Sequence, residues 1–102
     1  MGTRIELGKE LKDILGSDEV YYQRPHNRQM TYPSIVYKKE NVYANYADDR
    51  TYLTQAQYEI MVMDTDPDSD IAERILDHFP YARANRRYEQ DSVYHDVVIL
   101  YF

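Results

Sequence analysis

The segment at 51–63, TYLTQAQYEIMVM, constrains the fold of this chain more than any other feature. Its residues alternate between two sets, and successive side chains of a β-strand point to opposite faces. The first set is Thr54, Ala56, Tyr58, Ile60 and Val62, and the second is Leu53, Gln55, Gln57, Glu59, Met61 and Met63. A period of two predicts a strand with one dry face and one partly wet face. We therefore expect residues 54–63 to form a central strand whose Tyr58, Ile60 and Val62 face a layer of helices.

The N-terminal segment TRIELGKELKDILG predicts the first helix. Thr3 and Glu6 have the spacing of a capping box, and Gly16 is placed as a C-terminal stop. The apolar residues recur at helical spacing, at Leu7, Leu11, Ile14 and Leu15. This stripe is expected to pack against the dry face of the sheet.

The segment DTDPDSDIAERILDHFP predicts the second helix. Asp66 is the expected N-cap and Pro67 the first helical residue, with Asp68 and Asp70 in the first turn, where the helix dipole favours anions. Pro80 is expected to end the helix. Its apolar residues repeat at helical spacing, at Ile71, Ala72, Ile75, Leu76 and Phe79.

The remaining strands follow from β-rich runs between turn signals. VYYQ at 20–23 predicts a short strand, and RPHNRQMTYP at 24–33 has no periodicity and predicts a long loop. A second strand is expected from Ser34 to about Asn45, followed by a turn at YADDR. The C-terminal residues predict a hairpin that turns at about Glu89 to Ser92.

The resulting order is α-β-β-β-α-β-β. Helices at two separated points and strands in hairpin-sized groups predict an α+β fold, with a mostly antiparallel sheet of four to five strands and both helices packed on one face. The chain has 102 residues, of which 43% are hydrophobic and 29% charged, which is ordinary for one globular unit. We expect residues 1–102 to form a single domain.

Charge and composition narrow the classes of partner. The net charge of −6 opposes non-specific binding to nucleic acid or to anionic membranes. The chain has no apolar run of the roughly 18 residues that span a bilayer, and no signal-peptide pattern at its N-terminus. It contains no cysteine, which fits a reducing compartment such as the cytoplasm.

Tyrosine dominates the aromatic residues: there are twelve, against two phenylalanines and no tryptophan. A tyrosine has an apolar ring and a hydroxyl that remains hydrated, so it suits half-buried sheet positions and protein interfaces alike. We favour the sheet interpretation because tyrosine has a high β-propensity.

Four patterns invite a chemical interpretation. DTDPDSD resembles the start of a calcium loop, but counting from Asp64 puts Ser69 where glycine is required and Ile75 where the bidentate glutamate is required. The three histidines, His26, His78 and His95, lack the spacing of a metal motif.

The other two patterns are on predicted strands. His95 and Asp96 are neighbours on a strand and should point to opposite faces, so they are not expected to form a dyad. The basic run RANRRY is interpreted as solvated strand positions in preference to a nucleic-acid site, with an acidic partner protein as the intermediate case. The sequence therefore predicts no catalytic residues, no cofactor and no metal.

The layout around YPSIVYKKENVYANYADDRTYLTQAQYEIMVMDTDPDSDIAERILDHF resembles the small tail-completion proteins of long-tailed bacteriophages, in particular tail terminator or head-tail joining proteins. The resemblance covers nearly the whole chain and is one of pattern, without an invariant signature. It implies a structural protein of the virion neck, assembled in the host cytoplasm. Such a subunit closes into a hexameric ring that caps the tail tube and presents a surface to the head-tail connector protein, and DNA passes through without specific binding.

Alternatives remain at this stage. The chain could be another neck component, such as a head-closure or adaptor protein, a monomeric protein-binding adaptor domain, or an enzyme of a mobile element. The polar loop at 24–33 and the turn NYADDR are the expected contact segments, because binding residues are usually carried on surface loops. The candidate interface residues are Arg24, His26, Arg28, Met30, Tyr32, Tyr46, Asp48, Asp49 and Arg50.

Overall fold

The structure, a computed structural model, describes residues 3–23, 31–47 and 50–102, with side chains described for 3–23, 31–40 and 56–102. Two helices and five strands follow the predicted order. They are α1 Arg4–Leu15, β1 Val20–Tyr22, β2 Ser34–Ala47, β3 Arg50–Asp64, α2 Ile71–His78, β4 Ala82–Gln90 and β5 Val93–Tyr101. The α+β fold class is confirmed.

The five strands form one sheet in the order β1-β2-β3-β5-β4, with β3 in the middle. Strand β1 runs parallel to β2, pairing Val20 with Ile35, and all other neighbours are antiparallel. Because β3 lies between β2 and β5, its residues from 57 to 63 have a partner on both sides. The predicted central position of this strand is confirmed.

Both helices pack on the same face of this sheet. The stripes of α1 and α2 meet the inward residues of β2, β3 and β5 in one apolar cluster. Its fully buried members include Leu7, Leu11, Ile35, Tyr58, Ile60, Val62, Ile75, Val98 and Leu100. The predicted contact of Tyr58, Ile60 and Val62 with a helix layer is therefore confirmed, and burial of this apolar surface is the main stabilising term.

Helix α1 begins and ends at the predicted residues. Thr3 is the N-cap, and its hydroxyl oxygen accepts a hydrogen bond from the Glu6 backbone N–H at 3.2 Å. The hydroxyl also donates to the Glu6 carboxylate. Gly16 caps the other end with φ 81°, a left-handed conformation that glycine adopts without a Cβ penalty.

The start of α2 differs from the prediction. The helix begins at Ile71 with Asp70 as N-cap, so Asp66 and Pro67 precede it. Instead, the Asp66 carboxylate accepts a hydrogen bond from the Asp68 backbone N–H at 2.9 Å. The Asp64 carboxylate accepts one from the Asp66 backbone N–H at 3.1 Å. Aspartate competes for backbone donors in this local way, and the residues Asp64–Asp68 therefore form successive turns before the helix.

The C-terminal hairpin turns at Asp91 and Ser92, which both have positive φ. Two such residues between paired strands match the right-handed twist of a tight hairpin. This turn lies inside the predicted range Glu89 to Ser92.

The turn predicted at YADDR is shorter than expected. Tyr46 and Ala47 continue β2, Arg50 begins β3, and Ala47 pairs with Arg50. Tyr and Thr favour extended backbone, so the pairing of β2 with β3 continues almost to the connection. Residues 41–47 and 50–56, called the arm below, thus extend beyond the part of β3 that pairs with β5.

Ser34 gives a first prediction about stability. It is fully buried, and its hydroxyl has no hydrogen-bond partner among the described residues. An unsatisfied buried hydroxyl costs free energy, so Ser34→Ala should leave the free energy of unfolding unchanged or raise it by up to about 1 kcal/mol. Urea unfolding measures the change. Thr3→Ala is the comparison: it removes the N-cap bond and should lower stability by about 1 kcal/mol. A loss of similar size in Ser34→Ala would contradict this account.

Candidate interaction surfaces

The face of the sheet opposite the helices, called the open face, carries an apolar floor. Val97 and Ile99 alternate with the helix-facing Val98 and Leu100, so they lie on the open face. Val97 pairs with Met61, and both it and Ile99 are buried. Long side chains on neighbouring strands therefore shield this floor although no helix covers it.

Tyr88 and His95 form a stacked pair on the open face. They are direct cross-strand partners of β4 and β5, and their rings are 4.6 Å apart with an interplanar angle of 6°. The Tyr88 hydroxyl contacts the Met61 sulfur at 4.0 Å, and His95 Nδ1 lies 3.0 Å from the Val93 carbonyl oxygen. A carbonyl only accepts, so Nδ1 carries the proton of this bond and Nε2 is left for other contacts.

A groove of about 400 Å³ lies beside this pair. Its lining includes Val36, Met61, Met63, Tyr88, His95 and Lys38. Lys38 bridges to Glu40 at 3.1 Å. This hydrogen bond, together with the nearby charges of Glu59 and Glu40, raises the pKa of Lys38 and keeps its ammonium charged. The groove therefore combines an apolar methionine floor with fixed charge at its rim, which suits a protein side chain or peptide.

His95 and Asp96 point to opposite faces, as the strand geometry predicted. Asp96 is on the helix side, where its carboxylate meets Arg87 Nε at 3.4 Å. Arg87 also donates from Nη2 to the Pro67 carbonyl oxygen at 2.7 Å, which ties the turns before α2 to the sheet. The two neighbours serve separate contacts and do not form a dyad.

The arginines of RANRRY divide between the faces of β4. Arg83 pairs with Ile99 and Arg86 with Val97, so both border the open face, whereas Arg87 is on the helix side. A β-bulge lies between Ala84 and Arg86. The Arg86 guanidinium is 5.3 Å from the centre of the Tyr88 ring. The open face therefore has a cationic margin along β4.

The helix side contains a cluster of tyrosines beneath α1. Tyr22 and Tyr37 meet edge to face at 5.2 Å, and Tyr37 lies 6.3 Å from Tyr58. The Tyr37 hydroxyl donates to the Arg4 carbonyl oxygen at 3.1 Å. Burial raises the pKa of Tyr37 and of Tyr58. These tyrosines join the first turn of α1 to the sheet, which supports the interpretation of tyrosine as a sheet residue, and all twelve except Tyr32 and Tyr81 lie within strands.

The structure brings only part of the predicted interface into view. Tyr32 precedes Pro33 at the entry to β2, and 38% of it is exposed. Tyr46 and Arg50 lie in the arm strands, so they belong to paired backbone and not to a free turn. The predictions at Arg24, His26, Arg28, Met30, Asp48 and Asp49 fall outside the described residues.

Other candidate residues are also placed. His78 Nε2 lies 3.0 Å from a Glu10 carboxylate oxygen, which links α2 to α1. In the described ranges, no three His, Cys, Asp or Glu side chains come together as a metal site. No helix within the described part of the chain combines the length and apolar character needed to cross a bilayer.

The open-face groove is the surface that sequence reasoning missed. The alternation of Glu59, Met61 and Met63 had indicated a partly wet face, which was the available signal. The contribution of β4 and β5 was not foreseen, because the stack of Tyr88 on His95 depends on the register between those strands. Comparison of the chain with protein-family models and with curated proteins finds no match, so its role is argued from these surfaces.

Proposed function

We propose that this protein is a structural subunit of a tailed phage or prophage, a tail terminator that forms a ring, caps the tail tube and joins it to the head connector. The observation that carries the proposal is the open face: the helices cover one side of the sheet and leave on the other a groove with an apolar floor and charged margins. A sheet face of this kind is suited to bind another protein.

The layout of the chain supports the same role. An α+β subunit with helices on one side can present its sheet to neighbours, and a ring requires a heterologous contact whose rotation closes. Tyrosine-rich sheet positions supply contact area that is partly polar, so the free subunit stays hydrated. The net charge of −6 weakens adhesion of the ring to passing DNA.

Electron microscopy of the purified protein mixed with candidate tail tubes tests the proposal. We expect a ring at one end of each tube, and tubes that no longer elongate once capped. Bare tube ends at saturating protein would overturn the proposal. Light scattering on the protein alone is a useful companion measurement, because a ring-forming subunit associates with itself or does so on the tube.

A charge-reversal variant tests the predicted contact segments. Asp48→Lys with Asp49→Lys should weaken ring closure or tube capping, because opposite charges on neighbouring subunits would set the register of the ring. The thermal stability of the monomer should change by less than about 0.5 kcal/mol, as surface substitutions usually do. Arg24→Ala with Arg28→Ala tests the second segment in the same assay. Unchanged assembly in both variants would place the interface elsewhere.

A second candidate is an adaptor that binds one partner protein as a monomer. The groove favours it, since about 400 Å³ accommodates one or two large side chains of a partner. Met61→Glu separates the two functions. A chain that binds its partner as a monomer and loses that binding in this variant supports the adaptor, whereas loss of tube capping supports the tail terminator.

A further inference from the structure

The arm differs from the rest of the sheet in how its strands are paired. Strand β5 pairs with β3 only from Gln57 to Asp64, and β1 pairs with β2 only from Ile35 to Tyr37. Along the arm, β2 and β3 pair with each other, and among the described residues no further strand flanks them. At the base of the arm, the Phe102 backbone N–H donates to the Ala56 carbonyl oxygen at 3.0 Å. Seven residues a strand give the arm a length of about 20 Å. A two-stranded ribbon of this kind is at best marginally stable alone in water.

The other edges of the sheet are protected against pairing. Edge strand β1 has three residues, which limits any strand addition. Edge strand β4 carries Arg83, Arg86 and Arg87 and has a bulge between Ala84 and Arg86. Short length, positive charge and bulges are the usual means by which proteins prevent edge-to-edge association.

The arm has fewer of these protections: it is longer than β1, and Arg50 is its one charged residue, although a bulge lies between Asn45 and Tyr46. Apart from Arg50, residues 41–47, NVYANYA, and residues 51–56, TYLTQA, contain no charge and no proline, and they are rich in tyrosine and threonine. Such strands have a high β-propensity and pair readily with a similar strand. The contrast with the short β1 and with the three arginines of β4 indicates that the arm is the edge most open to pairing.

We propose that the arm pairs by β-strand addition with the arm of a second copy of this chain. A second copy supplies a strand of matching length with equally little charge. Each subunit carries a net charge of −6, so contact through uncharged residues brings two copies together with the least repulsion. Main-chain hydrogen bonds then complete a ribbon that is marginal in the single chain.

The inference rests on the proposed ring-forming function and names the contact between its subunits. The two arm edges belong to different strands. Pairing β3 of one copy with β2 of the next is heterologous and can close a ring, whereas pairing β3 with β3 gives a dimer. The mass of the assembly therefore reports which pairing is used.

The test compares four proteins by size-exclusion chromatography with light scattering over a range of concentrations. The first is wild type. The second has residues 44–54 replaced by Asn-Gly between Tyr43 and Gln55, which are paired residues and can be joined by a two-residue turn. The third carries Thr51→Lys and Thr54→Lys, which add edge charges to a full-length arm. The fourth carries Thr31→Lys and Thr65→Lys, the same change at two exposed positions outside the arm.

We expect wild type and the Thr31/Thr65 control to associate as concentration rises. The shortened arm and the Thr51/Thr54 variant should associate at least about tenfold more weakly. Thermal unfolding verifies that each variant is folded. If the shortened chain does not fold, the Thr51→Lys/Thr54→Lys variant alone tests the arm contact. Association of the arm variants at wild-type strength would overturn the proposal, as would wild type that stays monomeric up to about 1 mM.

The same proteins separate this inference from the proposed function. Arm-dependent oligomers that do not bind tail tubes would support the arm contact and contradict the tail-terminator role. If the variant with the shortened arm still caps tubes, the result would support the tail-terminator role and overturn the arm contact. Arm-dependent binding to tubes by a chain that never self-associates would identify the tube protein, not a second copy, as the partner, and this also overturns the proposal.

Discussion

Ile60→Ala is expected to lower the free energy of unfolding by about 2 to 5 kcal/mol, the range for truncating a buried isoleucine and leaving a cavity. Ile60 is fully buried in the middle of β3, with Tyr37 and Val98 as its neighbours on the adjacent strands. Both helices pack over this position through the same apolar cluster. Because the site is enclosed on all sides, the surroundings have little freedom to fill the space that the smaller side chain leaves.

The matched control is Ile5→Ala, the same substitution on the outer surface of α1. Ile5 is 64% exposed, so little apolar burial is lost, and alanine is the better helix former. Its stability should stay within about 0.5 kcal/mol of wild type. Urea denaturation of both variants gives the comparison. Equal losses at the two positions would mean that Ile60 is not in the core.

Gly8→Ala is expected to destabilise the protein by about 1 to 3 kcal/mol, although alanine is the better helix residue. Gly8 is buried on the sheet side of α1, and a Cβ at this position would lie 2.6 Å from the Tyr37 hydroxyl oxygen. That hydroxyl is held by its hydrogen bond to the Arg4 carbonyl and by the packing of the ring against Tyr22. The added methyl group therefore forces α1 and β2 apart or breaks this bond.

Tyr37→Phe provides the decisive background for this prediction. Without the hydroxyl, the nearest atom of the ring is 3.5 Å from the new Cβ, an ordinary contact distance. Gly8→Ala should then stabilise the helix by about 0.5 to 1 kcal/mol, which reverses the sign seen in the wild-type background. A double-mutant cycle by urea denaturation measures the coupling. The same effect of Gly8→Ala in both backgrounds would show that the hydroxyl does not limit the approach of α1.

The candidate surfaces were only partly predictable. The second set of residues in β3 indicated a partly wet face of the sheet. The sequence also placed His95 and Asp96 on opposite faces, because side-chain alternation is a property of one strand. The groove, by contrast, requires Tyr88 of β4, His95 of β5 and Met61 of β3 to meet across three strands. No local pattern specifies that meeting, because it depends on the register of β3 with β5, on that of β5 with β4, and on the bulge in β4.

The sequence by itself determined the elements and their buried faces: the two helical stripes, the alternation of β3, the caps at Thr3 and Gly16, and hence the α+β order. These features are local, since a period of 3.6 or 2 and a cap involve residues close along the chain. Tertiary structure alone decided the parallel pairing of β1 with β2, the late start of α2 and the length of the arm. The pairing of β1 and the length of the arm depend on which segments share backbone hydrogen bonds, and no single stretch of sequence records that. The start of α2 depends on local aspartate turns and on Arg87, which donates to the Pro67 carbonyl oxygen from a distant strand.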